Sequence, residues 1–300
     1  MPLLTWIGAR ARWVLLVGVF AGLALPSAAE ALRPVLPFFV AMVYALAMLR
    51  IDPIAILRGL ADPRHAARAL GMMSLMMVAA PFAAFAIARA LGLGADVEAI
   101  LVYVYAAPPI ASAAAMCLIL GFRGETALEL TVLSSLAMPF VGPVIVGVLL
   151  GSSLDLSPVT LGLRMAAMVF GGFVVAMIGR RIIGAEGIAR NKQALDGLAA
   201  LGFLLFVIPL FDGVRETLVA RPWLALAFLV LSVVIVLGTI AVFLRGGVDR
   251  ARNGALGVVW GTRAVAIYFA ALPPDPVFTM FVAIFQLPMA AIALVFKGRE

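Results

Sequence analysis

The sequence predicts an all-α membrane protein of ten transmembrane helices, built as two inverted five-helix repeats with broken, crossing helices four and nine. Three observations carry that expectation. First, the 300 residues are 65% hydrophobic and 12% charged, with a mean hydropathy of +1.18, where a soluble domain is about 45–50% apolar. So few charges cannot cover a water-exposed surface. Second, the apolar residues gather into stretches of roughly 18–25, the length that crosses a hydrocarbon core about 30 Å thick as an α-helix. They do not alternate with polar residues, which disfavours a β-barrel. Third, two of these stretches carry residues that a continuous membrane helix tolerates poorly: adjacent prolines in one, an arginine at mid-length in the other.

In chain order, span one (12–28) follows Arg10 and Arg12 and imitates a secretory signal, with Pro26-Ser27-Ala28-Ala29 as a cleavage region. The symmetry below requires it as a helix. Span two (34–49) ends at the turn Arg50-Ile51-Asp52-Pro53. Span three (66–90) follows a basic loop in which His65 is expected to be solvated; Met72, Met73, Met76 and Met77 read as gap-filling core residues. Gly92-Leu93-Gly94 separates it from span four (97–120), and span five covers 125–150. Spans six (158–183), seven (193–212) and eight (222–245) are divided by Arg190-Asn191-Lys192 and the segment before Pro222. Arg245-Gly246-Gly247 precedes span nine (253–272), and Pro273-Pro274-Asp275-Pro276 precedes span ten (276–297). No long polar linker marks a soluble domain.

Lysine and arginine accumulate on alternate loops. With the N-terminus cytoplasmic, that side collects Arg50, Arg123, Arg180, Arg190, Lys192, Arg245 and the terminal Arg10, Lys297 and Arg299, against Arg33, Arg89, Arg164, Arg215 and Arg221 opposite. The bias predicts both termini inside an inner (plasma) membrane, of bacterial type. The pI near 10.5 is therefore a topology signal and not a nucleic-acid footprint. Leu136-Ala137-Met138-Pro139 in span five resembles Phe285-Gln286-Leu287-Pro288 in span ten, a shift of 149 residues. The same shift lays Ser112-Ala113-Ala114 over Gly261-Thr262-Arg263. Residues 1–150 then form one repeat and 151–300 the other. Five spans is an odd number, so the second copy enters the membrane inverted, a design whose sites lie where discontinuous helices meet.

Span four holds Ala107-Pro108-Pro109-Ile110-Ala111-Ser112. Proline lacks the backbone N–H and clashes with the preceding turn, so the helix breaks, and broken backbone at depth must be buried in protein or line a wet cavity. In span nine, Trp260-Gly261-Thr262-Arg263 lies at the matching place, and Arg263 is too deep to snorkel. Its candidate partner is Glu129 in span five; the competing expectation puts Glu129 at the interface near Arg123. Thr131, Ser134 and Ser135 follow on that helix and are not placed on one face. Gln286 and Tyr268 are weaker candidates. One His and one Cys, Cys117, assemble no nucleophile-base pair, disulfide or metal cage, so no enzyme, catalytic residue, metal site or cofactor is expected.

The stretch 107–143, APPIASAAAMCLILGFRGETALELTVLSSLAMPFVGP, resembles helices four and five of the bile acid:sodium symporter family. There a proline- and glycine-containing break precedes an Ala-Ser-Asn-like run, a Lys-Gly-Asp-like turn and a Thr/Ser-rich helix ending at proline. Pro109, Ala111-Ser112, Arg123-Gly124-Glu125, Thr131, Ser134, Ser135 and Pro139 fall in those places. The resemblance implies a panel of spans one, two, six and seven, a core of spans 3–5 and 8–10, and elevator-like alternating access. It implies an organic anion as solute, usually with sodium, and a sister branch exports arsenite.

Where that family places sodium ligands in helix nine, this chain has Gly257, Gly261 and Thr262, and the asparagine after the serine is Ala113; only Ser112 and Thr131 remain. Sodium coupling is therefore not expected, a proton being the other coupling ion, and Arg263 stands as a tethered cation. The expected solute contacts are Pro109, Ser112, Ala113, Trp260, Gly261, Thr262 and Arg263, with half-helix ends at Ser112 and Gly261 lending partial charge to the solute. Coupling or ion pairing is assigned to Glu129, Thr131, Ser134, Ser135 and Gln286. The alternatives are an arsenite or other efflux permease, with Cys117 as soft ligand, and a structural or channel-like membrane protein.

Overall fold

A computed structural model describes residues 2–9, 11–51, 53–151, 156–247 and 249–296. Arg10, Asp52, Lys297 and Arg299, which figured in the expected topology, and residues 152–155 between spans five and six lie outside the described residues. Among the described residues all regular elements are helices, apart from one isolated antiparallel bridge. The helices are α1 (Pro2–Ala9), α2 (Ala11–Ala24), α3 (Pro26–Met48), α4 (Pro53–Gly59), α5 (Pro63–Ala90), α6 (Ala95–Ala106), α7 (Ala113–Ile119), α8 (Gly124–Leu150), α9 (Pro158–Arg190), α10 (Lys192–Phe211), α11 (Val214–Ala220), α12 (Pro222–Arg245), α13 (Arg250–Gly261), α14 (Ala266–Ala271) and α15 (Pro276–Phe296).

Many of these starts are written in the sequence. Asp62, Ser157, Asp249 and Asp275 accept from the backbone N–H of Arg64, Thr160, Arg252 and Val277 at 3.0, 3.2, 3.0 and 2.8 Å. Such caps satisfy N–H groups that have no partner inside the helix. Pro63, Pro158, Pro222 and Pro276 occupy first helical positions, where a missing N–H costs nothing.

Among the described residues seven helices, α3, α5, α8, α9, α10, α12 and α15, are long and apolar enough to cross a membrane by length and composition. The expectation of ten counted three further segments. Two of them, 97–120 and 253–272, are interrupted. The third stops at Leu25 (φ −123°, ψ 66°), where Pro26 opens α3. The expected gap between spans one and two is thus helical. Proline sets the boundary there by removing a donor, whereas Glu30 turns to the outside and Arg33 bonds Asp212 at 2.7 Å. The cleavage-like segment is the first turn of α3, with Ala29 buried. Span six, expected to end at 183, does bend there: Gly184 takes φ 73°, and α9 runs on to Arg190.

Helix α10 packs on α1, α2 and α3, and α9 lies along α3. A Cβ on Gly172 would fall 2.6 Å from the Ala41 carbonyl, so α9 and α3 meet backbone to backbone, as small residues allow in membranes. Helix α8 touches α6, α7, α9 and α13, while α5 covers α6 and α12 covers α13 and α15. Both covering helices widen into a π turn, at Leu75–Ala79 in α5 and Val234–Gly238 in α12. Each π turn lies against a first half of an interrupted helix, α6 and α13 respectively.

Candidate functional site

At 12 residues each, α6 and α13 rise about 18 Å, far short of a bilayer core of about 30 Å. Both stop at the same place. The chain then runs extended, and Pro109 faces Arg263 across an antiparallel bridge. The bonds are made by flanking residues: the Ile110 N–H donates to the Thr262 carbonyl at 3.2 Å and the Ala264 N–H to the Pro108 carbonyl at 2.8 Å. Pro109 needs no N–H in this register, so the residue that breaks the helix also suits the bridge. The chain resumes as α7 and α14. In space Pro109 lies opposite Arg263, a pairing set by backbone hydrogen bonds.

Arg263 is 1% exposed and its side chain spans the junction. Nε donates to the Trp260 carbonyl at 3.0 Å and Nη1 to the Ala107 carbonyl at 3.1 Å. These are carbonyls at the C-terminal ends of α13 and α6, which have no partner within their helices. The rings of Tyr105 and Trp260 lie 5.9 and 5.7 Å from the guanidinium carbon, within cation–π range. Nη2 and the Trp260 Nε1 are buried without a hydrogen-bond partner among the described residues. Thr262 is spent locally, its hydroxyl donating to the Val258 carbonyl at 2.7 Å.

Several expectations change. Gly261 closes a helix, so its end carries negative partial charge and repels an anion unless Arg263 neutralises it. Ser112 precedes a helix of only seven residues, makes no capping bond and is exposed. Ala113 behind it is fully buried. Glu129 does not reach Arg263: it bonds His65 on α5, which is therefore engaged and not simply solvated. Arg123, the other expected neighbour of Glu129, pairs with Asp249 at 2.9 Å. Gln286 donates back to Val282 of its own helix, at 3.4 Å. Cys117 is wholly buried.

Thr131, Ser134 and Ser135 are at most 1% exposed, and none of their hydroxyls has a hydrogen-bond partner among the described residues. Their spacing of three and four residues does place them on one side of α8, contrary to expectation. The same side continues to Gly142, where a Cβ would meet the Tyr268 hydroxyl at 2.7 Å. Pro139 removes the N–H that would otherwise meet the Ser135 carbonyl. Tyr44 of α3 brings its hydroxyl close to Ser135, outside hydrogen-bond geometry. The sequence reading missed Tyr44, Tyr105 and the Ala107 carbonyl. Their only signal is a polar or aromatic residue in an apolar run, and a carbonyl has none.

A cleft of about 370 Å³ reaches α14 from outside, lined by Pro37, Phe38 and Ala41 of α3, Arg164, Ala167 and Met168 of α9, and Ala270. Arg164 donates to the Ala271 carbonyl at 2.8 Å, and Arg33 lies 4.9 Å from the Phe269 ring. Two arginines thus hold the second half of the broken helix against α3 and α9. No protein-family model matches the chain and no curated protein matches it, so its chemistry is read from these residues.

Proposed function

We propose that this chain is a secondary carrier that moves a small organic anion across a bacterial inner membrane by alternating access. One observation carries the reading: two interrupted helices paired through extended backbone at a buried arginine. Broken helices that meet inside a membrane protein expose backbone dipoles to a bound solute, and they recur in transporters. The paired π turns and paired interruptions support ten spans in two inverted repeats, 1–150 and 151–300. The packing supports a panel of α1–α3, α9 and α10 and a core formed by the rest, as in the bile acid:sodium symporter family. In this reading the orphan hydroxyls on α8 and Tyr44 lie where core meets panel, and both termini are cytoplasmic.

The two bonds of Arg263 to carbonyls favour one competing reading, a fixed scaffold pinned by that residue. Reconstituted protein separates the two. Proteoliposomes should take up radiolabelled small carboxylates saturably and show counterflow when preloaded with the same compound. Flux no faster than in protein-free liposomes, across a panel from acetate to steroid conjugates, would sink the carrier reading.

A further inference from the structure

The sign of the charges at the crossover poses a problem that Arg263 resolves. Helices α6 and α13 point their C-terminal ends at one spot, and each carries about half a negative charge. Together they call for a cation. The side chain of Arg263 supplies it from within the chain: Nε is bonded to the Trp260 carbonyl and Nη1 to the Ala107 carbonyl, one at each helix end. A guanidinium suits this task because its donors diverge in a rigid plane, so two carbonyls on different helices are met at once. A free metal cation drawn to the same carbonyls would have to displace it or share the space.

One face of the guanidinium remains unused. Among the described residues Nη2, which is buried, has no acceptor, and three residues away the Trp260 Nε1 is also buried without one. Their side chains are neighbours, with the guanidinium carbon 5.7 Å from the Trp260 ring. A buried donor left unmet costs about 1–3 kcal/mol. Two orphan donors beside one charge define what completes them: a group that brings acceptors and no donors, and that tolerates a cation. A carboxylate does both, and aromatic rings on the cation leave an apolar surround for its body.

We infer that Arg263 is the resident cation of the crossover, neutralising both helix ends with Nε and Nη1 and binding the carboxylate of a small monoanionic solute through Nη2, with the Trp260 Nε1 as second donor. The inference deepens the carrier reading and rests on it for the place of solute binding. It makes transport independent of sodium, since the position a coupling cation would fill is held by a side chain.

Thermal melting of the purified full-length chain in detergent tests the binding, with acetate, butyrate and benzoate each set against its amide, in sodium-free choline buffer. Ligand binding raises melting temperature by mass action, and at least one carboxylate should do so while its amide does not. Trp260→Phe keeps the ring and should weaken that carboxylate by about tenfold, the worth of one charge-assisted bond. Arg263→Gln should abolish the carboxylate shift and gain a shift with sodium, the helix ends being bare. If Arg263→Gln does not fold, Trp260→Phe still decides. Equal shifts with acid and amide, or unchanged carboxylate affinity in Trp260→Phe, overturns the inference.

Uptake is measured alongside. Wild-type uptake that strictly requires a sodium gradient overturns the inference and leaves the carrier reading intact. Carboxylate binding with no uptake does the reverse.

Discussion

Pro108 and Pro109 break one helix from within, whereas the interruption at 262–264 contains no proline and follows a residue, Gly261, that ends its helix against the π turn of α12. The first break is covalent: no N–H at 108 or 109 can reach back four residues. The second is imposed by the partner. Ala264 and Thr262 give their backbone groups to Pro108 and Ile110, and Arg263 fastens both helix ends. One interruption is intrinsic and the other conditional, so the conditional one is where the crossover is expected to fail first.

The comparison breaks most visibly at Arg263. Replacing it by Ala strands the Ala107 and Trp260 carbonyls, at about 1–3 kcal/mol each, and should abolish uptake; a melting temperature equal to wild type would show that the arginine does not hold the junction. The double variant Pro108→Ala with Pro109→Ala should cost only about 1–2 kcal/mol, chiefly through the freer unfolded chain, because the bonds from Ile110, Ala264 and Arg263 persist. Were it to cost as much as Arg263→Ala, the prolines and not the partner would be what keeps the crossover extended.

An effect of similar size is expected one layer out. A Cβ at Gly261 would lie 2.7 Å from the Val236 carbonyl, a backbone atom that cannot swing away, so Gly261→Ala should destabilise by about 1–3 kcal/mol. Gly142→Ala presses on the Tyr268 hydroxyl instead, and the double variant with Tyr268→Phe should recover part of the loss. Additive losses in the melting temperatures of that cycle would place the strain elsewhere. Smallest is Arg33→Ala: the Arg33–Asp212 pair is about a fifth exposed on both sides, and its removal should cost about 1 kcal/mol or less.

How much of this was legible beforehand differs by region. The apolar runs and the break at Pro108 and Pro109 follow from local chemistry, and so did the picking out of Arg263; the capping residues Asp62, Ser157, Asp249 and Asp275 are equally local but were not read as caps. The start of α3 was misplaced: span two was expected from 34, whereas Pro26 opens the helix, and Glu30 and Arg33 fit within it because a charge in a helix need only face outward or find a partner. The pairing of Glu129 was misassigned because attraction of unlike charge says nothing about reach. His65 is near it and Arg263 is not, a matter of where α5 crosses α8.

By itself, then, the sequence determined the all-α class and the interruption at Pro108 and Pro109, since each depends on hydrophobicity or a missing N–H within a few residues. Only the tertiary structure decided the partner of Arg263, the register of Pro109 against it and the orphan donors beside it. Those rest on carbonyls and crossing helices from opposite halves of the chain, and a backbone carbonyl is the same atom in every residue, so no letter of the sequence announces it.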